Sequence, residues 1–157
     1  MSATVDAAPV AALRNDAPIV TSAGRSCPVE LTYLPRPAPK DLPFEAQARN
    51  LILQAVADTE GGILVFLPGE AEIRRTKAAL QDHLPKNCVL RPLLGNLPFA
   101  EQQLAIRPEA RKNLRKIVLA TAIAETSLTI PDVRVVVDCG RARRARHAPG
   151  TGLQRLV

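Results

Sequence analysis

The chain has 157 residues, 46% of them apolar, and a formal charge of +6. That suits one domain with a core of its own. The longest apolar runs fall far below the ~18 residues of a membrane span, and the first residues lack a basic segment followed by an apolar one, which argues against a spanning helix and a secretory signal.

Taken in chain order, residues 1–18 read as a tail or a short helix over about Ala7 to Leu13. Ile19-Val20 reads as a short strand. Val29-Glu30-Leu31-Thr32-Tyr33 alternates apolar and polar, which predicts a strand. Pro35, Pro37 and Pro39 then interrupt regular structure. Apolar residues recur at helical spacing from Leu42 to Ala57 (Phe44, Ala48, Leu51, Ile52, Ala55, Val56) and predict an amphipathic helix. Ile63 to Leu67 is a continuous apolar run of the kind a buried parallel strand shows. Pro68-Gly69 turns the chain, and Glu70 to His83 predicts a helix with acidic residues in its first turn. Cys88 to Leu94 predicts a third core strand, and Phe99 to Ile106 a helix. Ile117 to Thr121 and Arg134 to Asp138 predict two more strands. The last segment, Arg143 to Val157, resembles a β-hairpin turning at Pro149-Gly150-Thr151-Gly152.

Strands alternating with helices imply an α/β fold with a mostly parallel sheet. Ligands of such sheets sit at the C-terminal ends of the strands. The turns after Leu67, Leu94, Thr121 and Asp138 form the expected functional edge.

The charge is clustered. Arg107, Arg111, Lys112, Arg115 and Lys116 crowd one segment; Arg141, Arg143, Arg144 and Arg146 crowd another. Two such clusters beside one phosphate-type loop point to a polyanion partner, with plain solvated surface as the rival. Tyr33, Phe44, Phe66 and Phe99 are the only aromatic residues. Stacked bases need exposed rings, so a grip on nucleic acid would run through phosphates. Cys27, Cys88 and Cys139 stand apart without CxxC or His-rich spacing. They argue against a zinc site and fit free thiols in a reducing cytoplasm.

The most telling segment is Ala120-Thr121-Ala122-Ile123-Ala124-Glu125-Thr126-Ser127-Leu128-Thr129-Ile130. It follows a basic, strand-like run and precedes Val133 to Val137 and Asp138-Cys139-Gly140. A strand opening into a hydroxyl-rich turn offers N–H and O–H groups to an anion. The segment resembles motif V of DEAH-box helicases. Other pieces match that family in order. Met1-Ser2-Ala3-Thr4 is similar to the Ser-Ala-Thr element, Val65 to Ile73 to motif IV, and Leu94 to Leu97 with Gln102-Gln103 to the stretch between motifs IV and V. Arg25, Pro28-Val29-Glu30 and Thr151-Gly152-Leu153 make the chain most similar to the bacterial HrpB-type branch.

That resemblance implies a RecA-like sheet of the P-loop NTPase superfamily, with residues 1–22 as a remnant of a first RecA-like domain and its linker. Residues 23–157 then form the second, helicase C-terminal domain. It implies ATP and Mg²⁺ as cofactors of the intact enzyme, and RNA or single-stranded DNA and a preceding RecA-like domain as partners. The Walker A loop, the DEAH box and the later Gln-Arg motif do not occur in these residues. The start inside a motif suggests a fragment. Without a phosphate cradle, metal ligands or arginine fingers, the chain alone is expected to bind neither cofactor tightly and to show no ATPase activity. A stand-alone nucleic-acid-binding module and an inactive remnant are the rival readings.

Residue by residue, the resemblance implies that Thr121 bonds a nucleic-acid phosphate; a strand-end cap is the alternative. Pro68 and Gly69 bring backbone to the nucleic-acid channel, or simply make the turn. Glu125, Thr126 and Ser127 face nucleotide and nucleic acid, though Glu125 also suits a helix start. Arg141, Arg143, Arg144 and Arg146 line the strand exit. The family's usual Asn is Ala122 here. Its usual acidic residue after Thr-Ile is Pro131, with Asp132 one place later at the ATP ribose. Ile106 stands where some relatives clamp adenine with a ring, and equally suits a core position. Ser2 and Thr4 couple ATP state to domain closure. His83 and His147 carry no catalytic role.

Overall fold

The computed structural model describes residues 7–14, 17–20, 28–35, 39, 41–111, 113–121 and 129–141, and the backbone of 145–147 and 154–156. The chain divides into two units, Met1–Pro37 and Ala38–Val157.

The first unit carries helix α1 (Ala7–Ala12), which buries none of its residues. Two predicted strands do not form. Residues 17–20 and 28–34 are irregular, and Val29, Leu31 and Tyr33 are 80%, 74% and 82% exposed. Alternation describes a strand only when a partner supplies hydrogen bonds and a face to cover. Among the described residues no strand pairs with this segment.

The second unit follows the predicted order closely. Helix α2 (Phe44–Asp58) leads to β1 (Gly62–Phe66), α3 (Glu70–Gln81), β2 (Cys88–Leu93), α4 (Phe99–Ile106), β3 (Arg115–Ala120) and β4 (Val133–Asp138). A short antiparallel hairpin, β5 (Ala145–His147) with β6 (Gln154–Leu156), ends it. The four-stranded sheet runs β2-β3-β1-β4 with every pairing parallel.

Position in the sheet explains burial. β1 and β3 are central and nearly fully buried, as their unbroken apolar runs require. β2, predicted as a core strand, is an edge strand with every residue half-buried. One sheet face packs Ile63, Val65, Ile117, Leu119 and Val137 against Ala48 and Ile52 of α2 and Ile73 and Leu80 of α3. The other packs Leu64, Val118 and Ala120 against Ala105 of α4 and Ile130.

The two ends of the sheet are pinned differently. At the C-terminal end, Leu67 N–H donates to Ala120 O at 2.8 Å. At the N-terminal end, Gly62 N–H donates to Asp132 O at 2.8 Å. A Cβ on Gly62 would lie 2.6 Å from that same oxygen, so only glycine allows the approach. No helix among the described residues is long and apolar enough to cross a membrane.

Candidate nucleic-acid and nucleotide surfaces

Parallel strands bring four turns to one edge. They are Pro68-Gly69 after β1, Gly95-Asn96 after β2, Thr121 after β3, and Cys139-Gly140 after β4. Pro68, Gly69 and Thr121, widely separated in sequence, therefore share that edge. The Leu67–Ala120 bond holds the first and third turns side by side. Pro68, Gly69 and Thr121 are all half-buried.

Glu70 and Asn96 add a feature that the motifs do not single out. Asn96 Nδ2 donates to Glu70 Oε2 at 2.9 Å, while Arg74 Nε donates to Glu70 Oε1 at 2.9 Å. These bonds, Arg74's first, hold the Glu70 carboxyl below its ordinary range. β3 lies between β1 and β2, so the Glu70–Asn96 link spans the end of β3 where Thr121 stands. The available signal was topological: a carboxylate and an amide each just beyond a strand of the same sheet.

Asp132 and Ile106 lie elsewhere. Asp132 precedes β4 and belongs to the opposite, N-terminal edge. Its carboxylate is already engaged. Lys116 Nζ sits 2.8 Å from Oδ1, and Glu109 N–H donates to Oδ2 at 3.3 Å. The same Lys116 Nζ donates to Arg107 O at 2.7 Å, next to Ile106. Lys116 thus joins the end of α4 to the turn before β4. Arg91 and Glu109, paired at 3.1 Å, extend this network to β2.

The first basic cluster needs correction. Arg115 and Lys116 are not part of an exposed cationic face. Arg115 Nε donates to Gly61 O at 2.6 Å, Nη1 to Val56 O at 2.7 Å, and Nη2 to Thr59 Oγ1 at 2.8 Å. It thereby ties the carbonyl end of α2 to the start of β3. The Lys116 side chain is 0% exposed. Charge runs at a strand start are drawn inward when carbonyls and a carboxylate wait there. In the second cluster, the Arg141 guanidinium lies 4.9 Å from the centre of the Phe44 ring, a cation–π contact at the foot of α2. Ser2, Thr4, Glu125, Thr126, Ser127, Arg143 and Arg144 fall outside the described residues, and of Arg146 only the backbone, in β5, is described.

A parallel sheet of this order, flanked by helices, with its strand-end turns gathered at one edge, is a RecA-like domain of the P-loop NTPase type. Residues 47–156 match the helicase conserved C-terminal domain, and the chain belongs to that family. Over its full length it is 44% identical to the ATP-dependent RNA helicase HrpB of Escherichia coli, of which it spans 19%. It is 35% identical to the human ATP-dependent RNA helicase DHX33, spanning 23% of that protein. Among solved structures, the E. coli DExH-box NTPase HrpB superposes with a TM-score of 0.85 at 42% identity, covering 99% of this chain and 19% of that one. The chain therefore spans about a fifth of the length of such relatives.

Proposed function

We propose that this chain is the second RecA-like domain of an ATP-dependent RNA helicase of the HrpB type, and that its C-terminal sheet edge grips nucleic-acid phosphates. The observation that carries the reading is the convergence of Pro68, Gly69 and Thr121 at the ends of adjacent parallel strands. The half-exposed Thr121 offers a hydroxyl donor there, and phosphate contacts position a strand without reading its bases. Residues 23–157 form the domain in this reading, and residues 1–22 are the end of a preceding RecA-like domain and linker. In this reading Glu125, Arg143 and Arg144 would also contact nucleic acid, and Thr126 and Ser127 the nucleotide.

Ile106 and Asp132 form a separate, nucleotide-facing patch. The fit is to a base and ribose rather than to phosphates. Ile106 supplies an apolar cover, and Asp132, 28% exposed, keeps acceptor capacity while Lys116 offsets its charge. The described residues contain no group of three metal-ligating side chains. We assign Mg²⁺ and the triphosphate cradle to the preceding domain, which would close on this one with ATP between them. Bound ATP supplies the free-energy difference between open and closed states; Ser2 and Thr4 would relay that closure. The free thiols suit a cytoplasmic setting.

Anisotropy of labelled single-stranded RNA titrated with the chain tests the reading. Affinity falls steeply with salt, because cationic contacts release counterions. Thr121→Val weakens binding by about fivefold, the loss of one hydrogen bond. Salt-independent or absent binding overturns the phosphate reading. A preference for single-stranded DNA reassigns the substrate, and helicase-like ATP hydrolysis by the chain alone overturns the division of labour.

A further inference from the structure

A grip on phosphates does not distinguish ribose from deoxyribose, because both backbones carry them. The turn between β2 and α4 holds a group that can. Gly95 and Asn96 are exposed there, and side chains brace the turn from two sides. Gln102 Nε2, on α4, donates to Leu97 O at 2.8 Å and to Gly95 O at 3.4 Å. Glu70 Oε2, at the start of α3, accepts from Asn96 Nδ2 at 2.9 Å.

An ionised carboxylate only accepts, so it fixes which way the Asn96 amide faces. The nitrogen turns to Glu70. Oδ1, on the other arm of the planar amide, turns away from it. Glu70 itself offers no bare charge, since Arg74 Nε and Nη2 donate to its other oxygen, Oε1, at 2.9 Å and 2.6 Å. Among the described residues, nothing bonds Asn96 Oδ1. Ala120 pairs with Leu93, so Thr121 and Asn96 follow neighbouring strands, which run about 5 Å apart. A nucleic acid with a phosphate on Thr121 therefore passes the Asn96 turn. The sugar–phosphate backbone of DNA has no hydrogen-bond donor. That of RNA has one, the 2′-OH. A fixed acceptor beside a phosphate grip has that hydroxyl as its one backbone partner.

We infer, on the phosphate reading of this edge, that Asn96 Oδ1 accepts a hydrogen bond from a ribose 2′-OH and makes the edge prefer RNA to DNA. Glu70 is a positioning residue, which aims the amide without touching the sugar. Anisotropy titrations of the full chain with labelled oligouridine in ribose, 2′-deoxyribose and 2′-fluororibose forms test this. The base is constant, and the fluoro sugar keeps the ribose pucker while lacking the O–H. The wild-type chain binds the ribose form about fivefold more tightly than either other form, the worth of one hydrogen bond. Asn96→Ala brings that ratio to about one. Glu70→Gln can either donate or accept, so the amide is free to flip and the ratio also falls toward one. The lost carboxylate charge raises affinity for all three forms alike; a merely structural role for Glu70 would shift the three together and keep the ratio. Thr121→Val weakens all three and keeps the ratio. Circular dichroism matching the wild type shows that each variant folds. Salt-dependent binding that Thr121→Val weakens, yet equal across the three sugars, overturns the 2′-OH contact and leaves the phosphate reading standing. Fluoro and ribose forms bound alike, or a ratio that survives Asn96→Ala, do the same. Binding that is absent or indifferent to salt overturns both.

Discussion

Lys116 and Asp132 form an ion pair across the N-terminal edge of the sheet, with Nζ 2.8 Å from Oδ1, the ammonium side chain 0% exposed and the carboxylate side chain 28% exposed. The pair joins the end of α4 to the turn before β4, beside the packing of Ala105 with Ile130 and the Glu109 N–H bond to Asp132 Oδ2. Arg107 O, at the end of α4, takes one N–H of the ammonium, and the turn before β4 supplies the carboxylate. The charge cost of burying Lys116 is met only when both partners are in place.

Lys116→Met keeps the length of the stem and removes the ammonium. It destabilises the chain by about 2–4 kcal/mol, toward the lower end for a buried pair because Asp132 is partly hydrated. Lys116→Met combined with Asp132→Asn costs less than the sum of the single changes, since each single change strands a charge. Urea unfolding of the four species measures the coupling. Strict additivity would show that the pair contributes nothing.

Arg115 makes the complementary prediction for α2. Its guanidinium bonds Gly61 O, Val56 O and Thr59 Oγ1 from one side chain. Arg115→Ala leaves those helix-end carbonyls without a donor and costs about 2–3 kcal/mol. Arg115→Lys restores the charge but not the planar fork, so it recovers less than half of the loss. Thermal melts of both variants check this. Full rescue by lysine would mean that charge alone, not the fork, holds the helix end.

Gly62 and Gly95 separate packing from turn chemistry. A Cβ on Gly62 meets Asp132 O at 2.6 Å, and that oxygen is main chain locked by the Gly62 N–H. Gly62→Ala therefore pushes β1 and β4 apart and costs about 1–3 kcal/mol. A methyl group added at Gly95 would find nothing within 4 Å, and the backbone there has no positive φ. Gly95→Ala stays within about 0.5 kcal/mol of the parent. Equal losses at the two sites, measured by urea unfolding, would refute the steric account.

The strands of the second unit were legible because central parallel strands must be apolar on both faces, and Ile63 to Leu67 and Ile117 to Leu119 are. Parallel order then placed Thr121 beside Pro68 without any contact being known. What the sequence hid depends on distances along the chain. Lys116 and Asp132 are far apart in sequence and meet only through the sheet, so Lys116 reads as one member of a surface cluster. Val29 to Tyr33 shows the converse. Its alternation is a strand signal, yet with no partner strand its apolar residues stay exposed. Glu70 and Asn96 lie inside the family-like stretches Val65 to Ile73 and Leu94 to Leu97, but no motif pairs them; only the position of β3 between their strands gives their bond a place at the edge.

Cys139 gives the protein a pH limit on its alkaline side. Burial, helped by the neighbouring Asp138 charge, pushes its thiol up from 9.0 to about 11. In the unfolded chain the thiol ionises at the lower value. Between the two values the folded chain therefore holds a proton that the unfolded chain has lost, and stability falls as pH rises. Below 9.0 both states are protonated and the full contribution is present. Two units of displacement correspond to at most about 2–3 kcal/mol across that window. Cys139→Ala removes the titrating group, so its unfolding free energy declines less between about pH 9 and pH 11 than that of the parent. Urea unfolding of both chains under reducing conditions across this range checks the difference in slope. Parallel curves would show that the thiol is as hydrated in the folded chain as in the unfolded one, contrary to its packing against the core on the sheet face that α2 and α3 cover.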